Sequence, residues 1–274
     1  MHRVLSAALT LSLVAARLAV GQIGLTELAT VTLGRPVQGM LPGTVIADIS
    51  NQCGVCAQGA FFVVDLAGPG IIPGVNSAYV VLRRWSDPDG ADPALYCPLA
   101  PLGFLGARAN LVYEIVATDA GQVVIFGAHQ PLPGQPVQYL IQVTAGLTGP
   151  QPHIIYREGD SYADAPAGVA SSAVFDFAYA GPDHLLVMAL LTGAGVTPAD
   201  DRIALTGSVR NNMRKLMREG EQPPASPAES LTHSLTGLGP VTCTSEGWGL
   251  VPASLRIPGS DPNLVRACLY LYSL

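Results

Sequence analysis

Two stretches of the 274-residue chain decide its reading: Leu66-Ala-Gly-Pro-Gly-Ile-Ile-Pro-Gly-Val-Asn-Ser-Ala-Tyr-Val80 and Leu191-Thr-Gly-Ala-Gly-Val-Thr-Pro-Ala-Asp-Asp-Arg-Ile-Ala-Leu205. The leucine, both glycines and the proline stay in register across an offset of 125 residues. A second pair, Ile155-Tyr-Arg-Glu-Gly-Asp160 and Leu216-Met-Arg-Glu-Gly-Glu221, recurs at half that offset, 61 residues. Self-similarity at such a period is the mark of a repeat architecture. Four apolar runs then fall into line: Gln58 to Leu66, Gly121 to His129, Asp183 to Leu191 and Gly247 to Leu255, with starts spaced by 63, 62 and 64 residues. The chain therefore reads as four units of about 63 residues.

Each unit has one internal grammar. In the third, a β-branched and aromatic run near Ala173 to Tyr179 precedes the core at Leu185 to Leu191. A Gly/Pro turn, a run at Ile203 to Leu205 and a last run at Leu216 to Arg218 follow. Short runs punctuated by Gly and Pro predict antiparallel hairpins, four strands to a unit. Glycine (30) and proline (23) make up about 19% of the chain, which suits this density of turns. One conflict stands out: Val209, Met213, Leu216 and Met217 have helical spacing, with basic residues between them. The repeat assigns residues 215–218 to a strand and leaves 208–214 open.

Tandem four-stranded units point to an all-β chain, a β-propeller whose blades bury both faces against their neighbours. Residues 29–36 align with the last strand of a unit, and the tail, Ala267 to Tyr272, with a third strand. The expectation is that the N-terminal strand completes the last blade and closes a ring of four. Two β-sandwiches, each made of two units, are the alternative.

Residues 1–21 resemble a secretory signal peptide, with His2 and Arg3 ahead of an apolar core and the small residues Ala19 and Gly21 before the cut. The core is interrupted by Arg17 and is too short for a span of roughly 20 apolar residues. No membrane span is expected in the mature chain, residues 22–274. That chain is read as one domain, secreted and extracellular or periplasmic, with net charge −8 once the leader's two arginines are gone. Lys215 is the only lysine. A chain with so few cations lacks the footprint that nucleic acid requires, and none is expected as a partner. Charged residues are 12% and apolar ones 49%, which excludes a disordered polyelectrolyte.

Export would oxidise the five cysteines, Cys53, Cys56, Cys97, Cys243 and Cys268, and all are disulfide candidates. Their number is odd, so one stays unpaired or bonds another chain. Cys53 and Cys56 form a C-x-x-C, but no second such pair and no histidine pair accompanies it. Structural bridging is expected over redox or zinc chemistry.

The run Arg157-Glu-Gly-Asp160, the turn Ala165-Pro-Ala-Gly168, the core strand and Leu191 to Thr197 together resemble a class of secreted bacterial tandem-repeat proteins. Those proteins carry an N-x-x-G-x-x-A-F repeat and often a C-terminal sorting anchor. Thr118 and Ala180 replace the signature asparagine here, and no C-terminal anchor is expected. The resemblance implies extracellular location and repetition, without a known activity.

No nucleophile elbow, H-E-x-x-H, P-loop or dinucleotide fingerprint is present. No catalytic or cofactor-binding residue is nominated, and no cofactor is expected. His129, His153, His184 and His233 stand isolated in sequence. The acidic run Asp87-Pro-Asp89-Gly with Asp92 offers the only candidate metal loop, for calcium. Pro88 and the lack of a following bidentate glutamate favour an ordinary hairpin loop. The Arg-Glu pairs at 157/158 and 218/219 read as capping or blade-to-blade contacts. Trp85 and Trp248 are the sole tryptophans, a thin supply for sugar stacking. The expected function is a non-catalytic extracellular scaffold or binding module for an unknown protein or glycan. The alternative is a secreted propeller hydrolase or lyase acting on polysaccharide through paired acids.

Overall fold

The structure is a computed structural model. It describes residues 30–88, 90–99, 107–129, 136–146, 149–181, 184–207, 213–221, 234–244, 248–256 and 265–273. Contacts divide the chain into Met1–Thr30 and a second unit, Val31–Leu274, which holds every described strand. The described residues form sixteen strands and four antiparallel sheets, with no helix among them.

The first sheet runs in order through β1 (Val45–Cys56), β2 (Gly59–Ala67), β3 (Ala78–Arg84) and β4 (Ala94–Pro98). The second has β5 (Ala107–Ala117), β6 (Val123–His129), β7 (Val137–Gly146) and β8 (Gly149–Arg157). The third has β9 (Val169–Gly181), β10 (His184–Gly193), β11 (Arg202–Thr206) and β12 (Arg214–Arg218). The fourth departs from this plan. Its first position is split into β13 (Ser234–Leu238) and β14 (Thr242–Cys243), both paired with β15 (Trp248–Arg256), and β16 (Val265–Ser273) lies on the other side. The four apolar runs of the repeat are thus the second strands β2, β6, β10 and β15. Residues 215–218, where repeat and helical spacing disagreed, pair with β11 as a strand; residues 208–212 lie outside the described part.

Consecutive residues of a strand point to opposite faces. In the first three sheets both faces are apolar and covered, so each of these serves two cores. Phe61 and Val63 of β2 share a cluster with Val123, Ile125, Tyr139 and Ile141 of the second sheet. Val124, Phe126 and Leu140 turn the other way, onto Leu185, Val187, Ile203 and Leu205. Leu186, Met188 and Ala204 in turn meet Val251, Ala253 and Leu255 of the fourth sheet. The sheets therefore pack in chain order, first on second, second on third, third on fourth. The outward face of the first sheet, with Val64, Leu66 and Val81, packs with Val31, Val37 and Met40.

The glycine motif now has a physical reason. Gly68 and Gly193 have φ of 138° and 124°, and Gly70 and Gly195 have φ of 77° and 78°. At the first position the second strand crosses the start of the first: a Cβ on Gly68 would come 2.6 Å from the Gly43 carbonyl oxygen, and one on Gly193 would run into that of Gly168. At Gly195 nothing lies within 4 Å, and positive φ alone selects glycine.

The link between units also repeats. The Gly159 N–H donates to Ser171 O and the Ser171 N–H to Asp160 O; Gly220, Leu235 and Glu221 repeat the pattern, as do Gly34, Ile46 and Arg35. Residues 34–35 thus enter β1 as a fourth strand enters the next sheet. The closure expected from residues 29–36 is not among the described pairings, however. Pro36 bridges Val45 and Gln38 bridges Ala94, while β16 pairs with β15. Residues 36 and 38 are thus tied to the first and last strands of the first sheet.

Gly193→Ala is expected to destabilise by about 3 kcal/mol or more, since strain at positive φ adds to a backbone collision, and Gly195→Ala by about 1–2 kcal/mol. Urea denaturation of the two variants measures the difference, and equal losses would refute the crossing geometry.

Candidate functional site

The acids and amides set into apolar strands form one class of feature: each takes a backbone N–H of the next sheet. Asp65 of β2 accepts the Ala109 N–H of β5 through Oδ2 at 3.1 Å and the Ser77 hydroxyl through Oδ1 at 3.4 Å. Gln138 of β7 accepts the Val174 N–H of β9 through Oε1 at 2.7 Å. Asp176 of β9, itself buried, accepts the Val241 N–H through Oδ2 at 2.8 Å. Between the second and third sheets, the Gln142 amide also donates to the Tyr179 hydroxyl, which donates to Gln122 Oε1. A buried N–H without an acceptor costs about 1–3 kcal/mol, so these side chains fix which strand edge meets which face.

Glu219, the glutamate of the second Arg-Glu pair, is the most constrained acid of the set. It is buried at the end of β12 and accepts backbone N–H groups of Arg202 and of Leu238 in the fourth sheet. Burial pushes its pKa up, against the pull of the Arg202 guanidinium, whose Nε lies 3.9 Å away. Its repeat partner Glu158 works within one sheet, accepting the Gln138 N–H through Oε2 at 3.1 Å. Arg218 grips Asp200 through Nη2 and the Asp200 carbonyl through Nε, both at 2.7 Å. Asp200 is held below the usual carboxylate range, first by the Thr197 N–H and hydroxyl and then by Arg218. The Arg-Glu pairs are therefore capping contacts in one unit and a sheet-to-sheet contact in the other.

The acidic loop is occupied by arginines. Asp87 accepts the Arg84 N–H through Oδ2 at 2.9 Å and lies 3.3 Å from Nη1 of the buried Arg83. Asp92 pairs with Arg35 at 3.2 Å, and Arg35 also donates to the Gly90 carbonyl. Asp89 lies outside the described residues. Among the described residues no group of three or more His, Cys, Asp or Glu gathers where it could hold a metal ion.

The sequence-nominated histidines do not converge as far as they are described. His129 is buried on β6 beside the Tyr139 ring at 6.2 Å, and His153 is exposed on β8. The side chain of His184 and all of His233 lie outside the described residues. Tyr139 is fully buried, and its phenol is pushed well above the usual range by burial, with the charges of Tyr113 and Asp65 adding. Asp65, Tyr139 and His129 thus bring two sheets together around one buried phenol, a feature that sequence reading missed. An aspartate inside Phe61-Phe-Val-Val-Asp-Leu66 was its only signal.

The expected disulfides require correction. Cys53, Cys56, Cys97 and Cys243 are free thiols, and the Cys268 side chain lies outside the described residues. Cys53 and Cys56 sit three apart on one strand, on opposite faces, one exposed and one buried. Cys97 and Cys243 are each pushed up to about 12 by burial, which keeps them as protonated, unreactive thiols at neutral pH.

The chain matches no known family model and no curated protein.

Two measurements test the stitching. Asp176→Ala strands the Val241 N–H and is expected to cost about 1–3 kcal/mol in urea denaturation, with Asp176→Asn losing less because its amide oxygen still accepts. For Glu219, a raised pKa means that its contribution is complete below the ordinary glutamate range and is lost as pH rises through the raised value. The stability of the native protein relative to Glu219→Gln is therefore expected to fall from pH 4 toward neutrality. A flat difference would show that Glu219 is not buried as described.

Proposed function

We propose that the protein is a secreted, non-catalytic scaffold or binding module of propeller type, whose loops meet an extracellular protein or glycan. The observation that carries this reading is the employment of its polar side chains. Asp65, Gln138, Asp176 and Glu219 hold sheet to sheet, and Asp87, Asp92 and Asp200 are engaged by arginines. The propeller reading is supported by four antiparallel sheets that pack face to face in chain order. The leader-like residues 1–21 support export.

Loops supply an apolar surface suited to binding. Leu41 lies before β1, and Ile72 and Val75 lie between β2 and β3; all three are exposed. The two loops approach each other where a Cβ on Gly43 would be 3.7 Å from Pro69. Contiguous exposed apolar surface marks interaction sites on monomers, and these two neighbouring loops are where such surface is offered.

The test is to incubate the exported protein with insoluble polysaccharides and cell-wall material, following retention together with the release of reducing or unsaturated ends. Retention without release, weakened at least tenfold by Leu41→Ser with Ile72→Ser, is the expected result. Catalytic release of sugar ends would overturn the reading.

A further inference from the structure

Among the described residues no strand pairs with the outer edge of β16, where each of the other three sheets has a fourth strand. In the first three sheets a fourth strand pairs with the third: Tyr79 is opposite Pro98, Tyr139 opposite Arg157, and Ile203 opposite Arg218. By the pairing of β15 with β16, the equivalent of Tyr79, Tyr139 and Ile203 is Cys268. Among the described residues nothing stands opposite it.

The sequence of β16 does not suit an open edge. Residues Val265-Arg-Ala-Cys-Leu-Tyr-Leu-Tyr-Ser273 carry one charge, whereas solitary edges are normally blunted by charge, proline or a bulge. Tyr270 and Tyr272 pack toward the third sheet. Leu269 and Leu271 face the other way and are 63% and 58% exposed. The positions equivalent to Leu269 in the other sheets are Val80, Leu140 and Ala204, each 0% exposed.

The missing strand has a candidate in the chain itself. Arg157 and Arg218 each precede by two residues the glycine that enters the next sheet, Gly159 and Gly220. Gly34 makes the same backbone bonds, so its counterpart to those arginines is Thr32. Val31 packs against the first sheet, as Tyr156 packs against the third and Met217 against the fourth. The residues just ahead of Gly34 thus hold the position of a fourth strand's end, and among the described residues no third strand pairs with them. The chain N-terminal to Thr30 lies outside the described residues.

We propose that the open edge of β16 is completed by residues 30–32 of a second copy of this chain, with Thr32 of one copy opposite Cys268 of the other. Within one chain the described contacts do not make this pairing, and a second copy makes it without breaking any of them. The arriving strand carries its own first sheet, because residues 34–38 are bonded to β1 and β4. It would bring that sheet against Leu269 and Leu271. Such a contact is heterologous, joining one end of a copy to the other end of the next, and it closes into a ring or extends into a fibre according to the rotation between copies.

The experiment places a thiol opposite the native one. Thr32 is exposed, so Thr32→Cys leaves the core untouched. The exported chain carrying this substitution is oxidised with glutathione disulfide, separated on a non-reducing gel and mapped by peptide mass. Native protein is examined by light scattering in parallel. The expected result is a 32–268 disulfide between chains, abolished by Cys268→Ser, and a native particle of at least twice the chain mass. A 32–268 disulfide within a monomer would overturn the proposal in favour of closure inside one chain. Absence of any 32–268 linkage would overturn it outright.

Discussion

A β-strand that is apolar on both faces cannot be satisfied by one neighbour, and this constraint organises the molecule. Val187 and Met188 are adjacent and both fully buried, one in the core shared with the second sheet and one in the core shared with the fourth. Burying such side chains contributes on the order of 1.5–3 kcal/mol each. Every sheet therefore needs a partner on each side, and a run of such sheets that does not close on itself leaves two ends to be dealt with. Val31, Val37 and Met40 pack on the first end. The last end keeps Leu269 and Leu271 in solvent.

Apolar faces are forgiving of sliding, and the buried acceptors limit it. Asp65, Gln138 and Asp176 each take one backbone N–H from the next sheet, at distances of 3.1, 2.7 and 2.8 Å. They occupy different strands of their units, so the repeat conserves the task rather than the residue. Glu219 performs it at the junction of the third and fourth sheets with a carboxyl whose ionisation is disfavoured by burial. These four buried or half-buried acceptors are thereby employed in holding one sheet in register with the next.

The repeat was legible because its determinants are local. Positive φ at Gly70 and Gly195, and backbone crossing at Gly68 and Gly193, impose glycine where β2 and β10 end. The unbroken aromatic and β-branched run Phe61-Phe-Val-Val64 needed no tertiary information to be recognised as a strand. Even the kinship of residues 29–36 with the last strand of a unit was visible, and Gly34 makes the bonds of Gly159 and Gly220. Ring closure is not a local property of this kind, since it depends on how four sheets accumulate their rotations. The bridges expected from five cysteines failed for a similar reason: a C-x-x-C on a strand points its thiols to opposite faces, which the count of cysteines does not reveal. The acceptors Asp65, Gln138 and Asp176 looked like ordinary polar interruptions, because their partners lie 36 to 65 residues away.

The two-sided packing of the sheets is tested most directly by thiol labelling along β10. Single cysteines at Leu186, Val187, Met188 and Ala189 in a cysteine-free background are compared with the same substitution at Leu269. The account predicts that all four β10 positions react at least a hundredfold more slowly than position 269, because both faces of the strand are covered. Alternating fast and slow reaction from 186 to 189, the pattern of a sheet buried on one face, would contradict it.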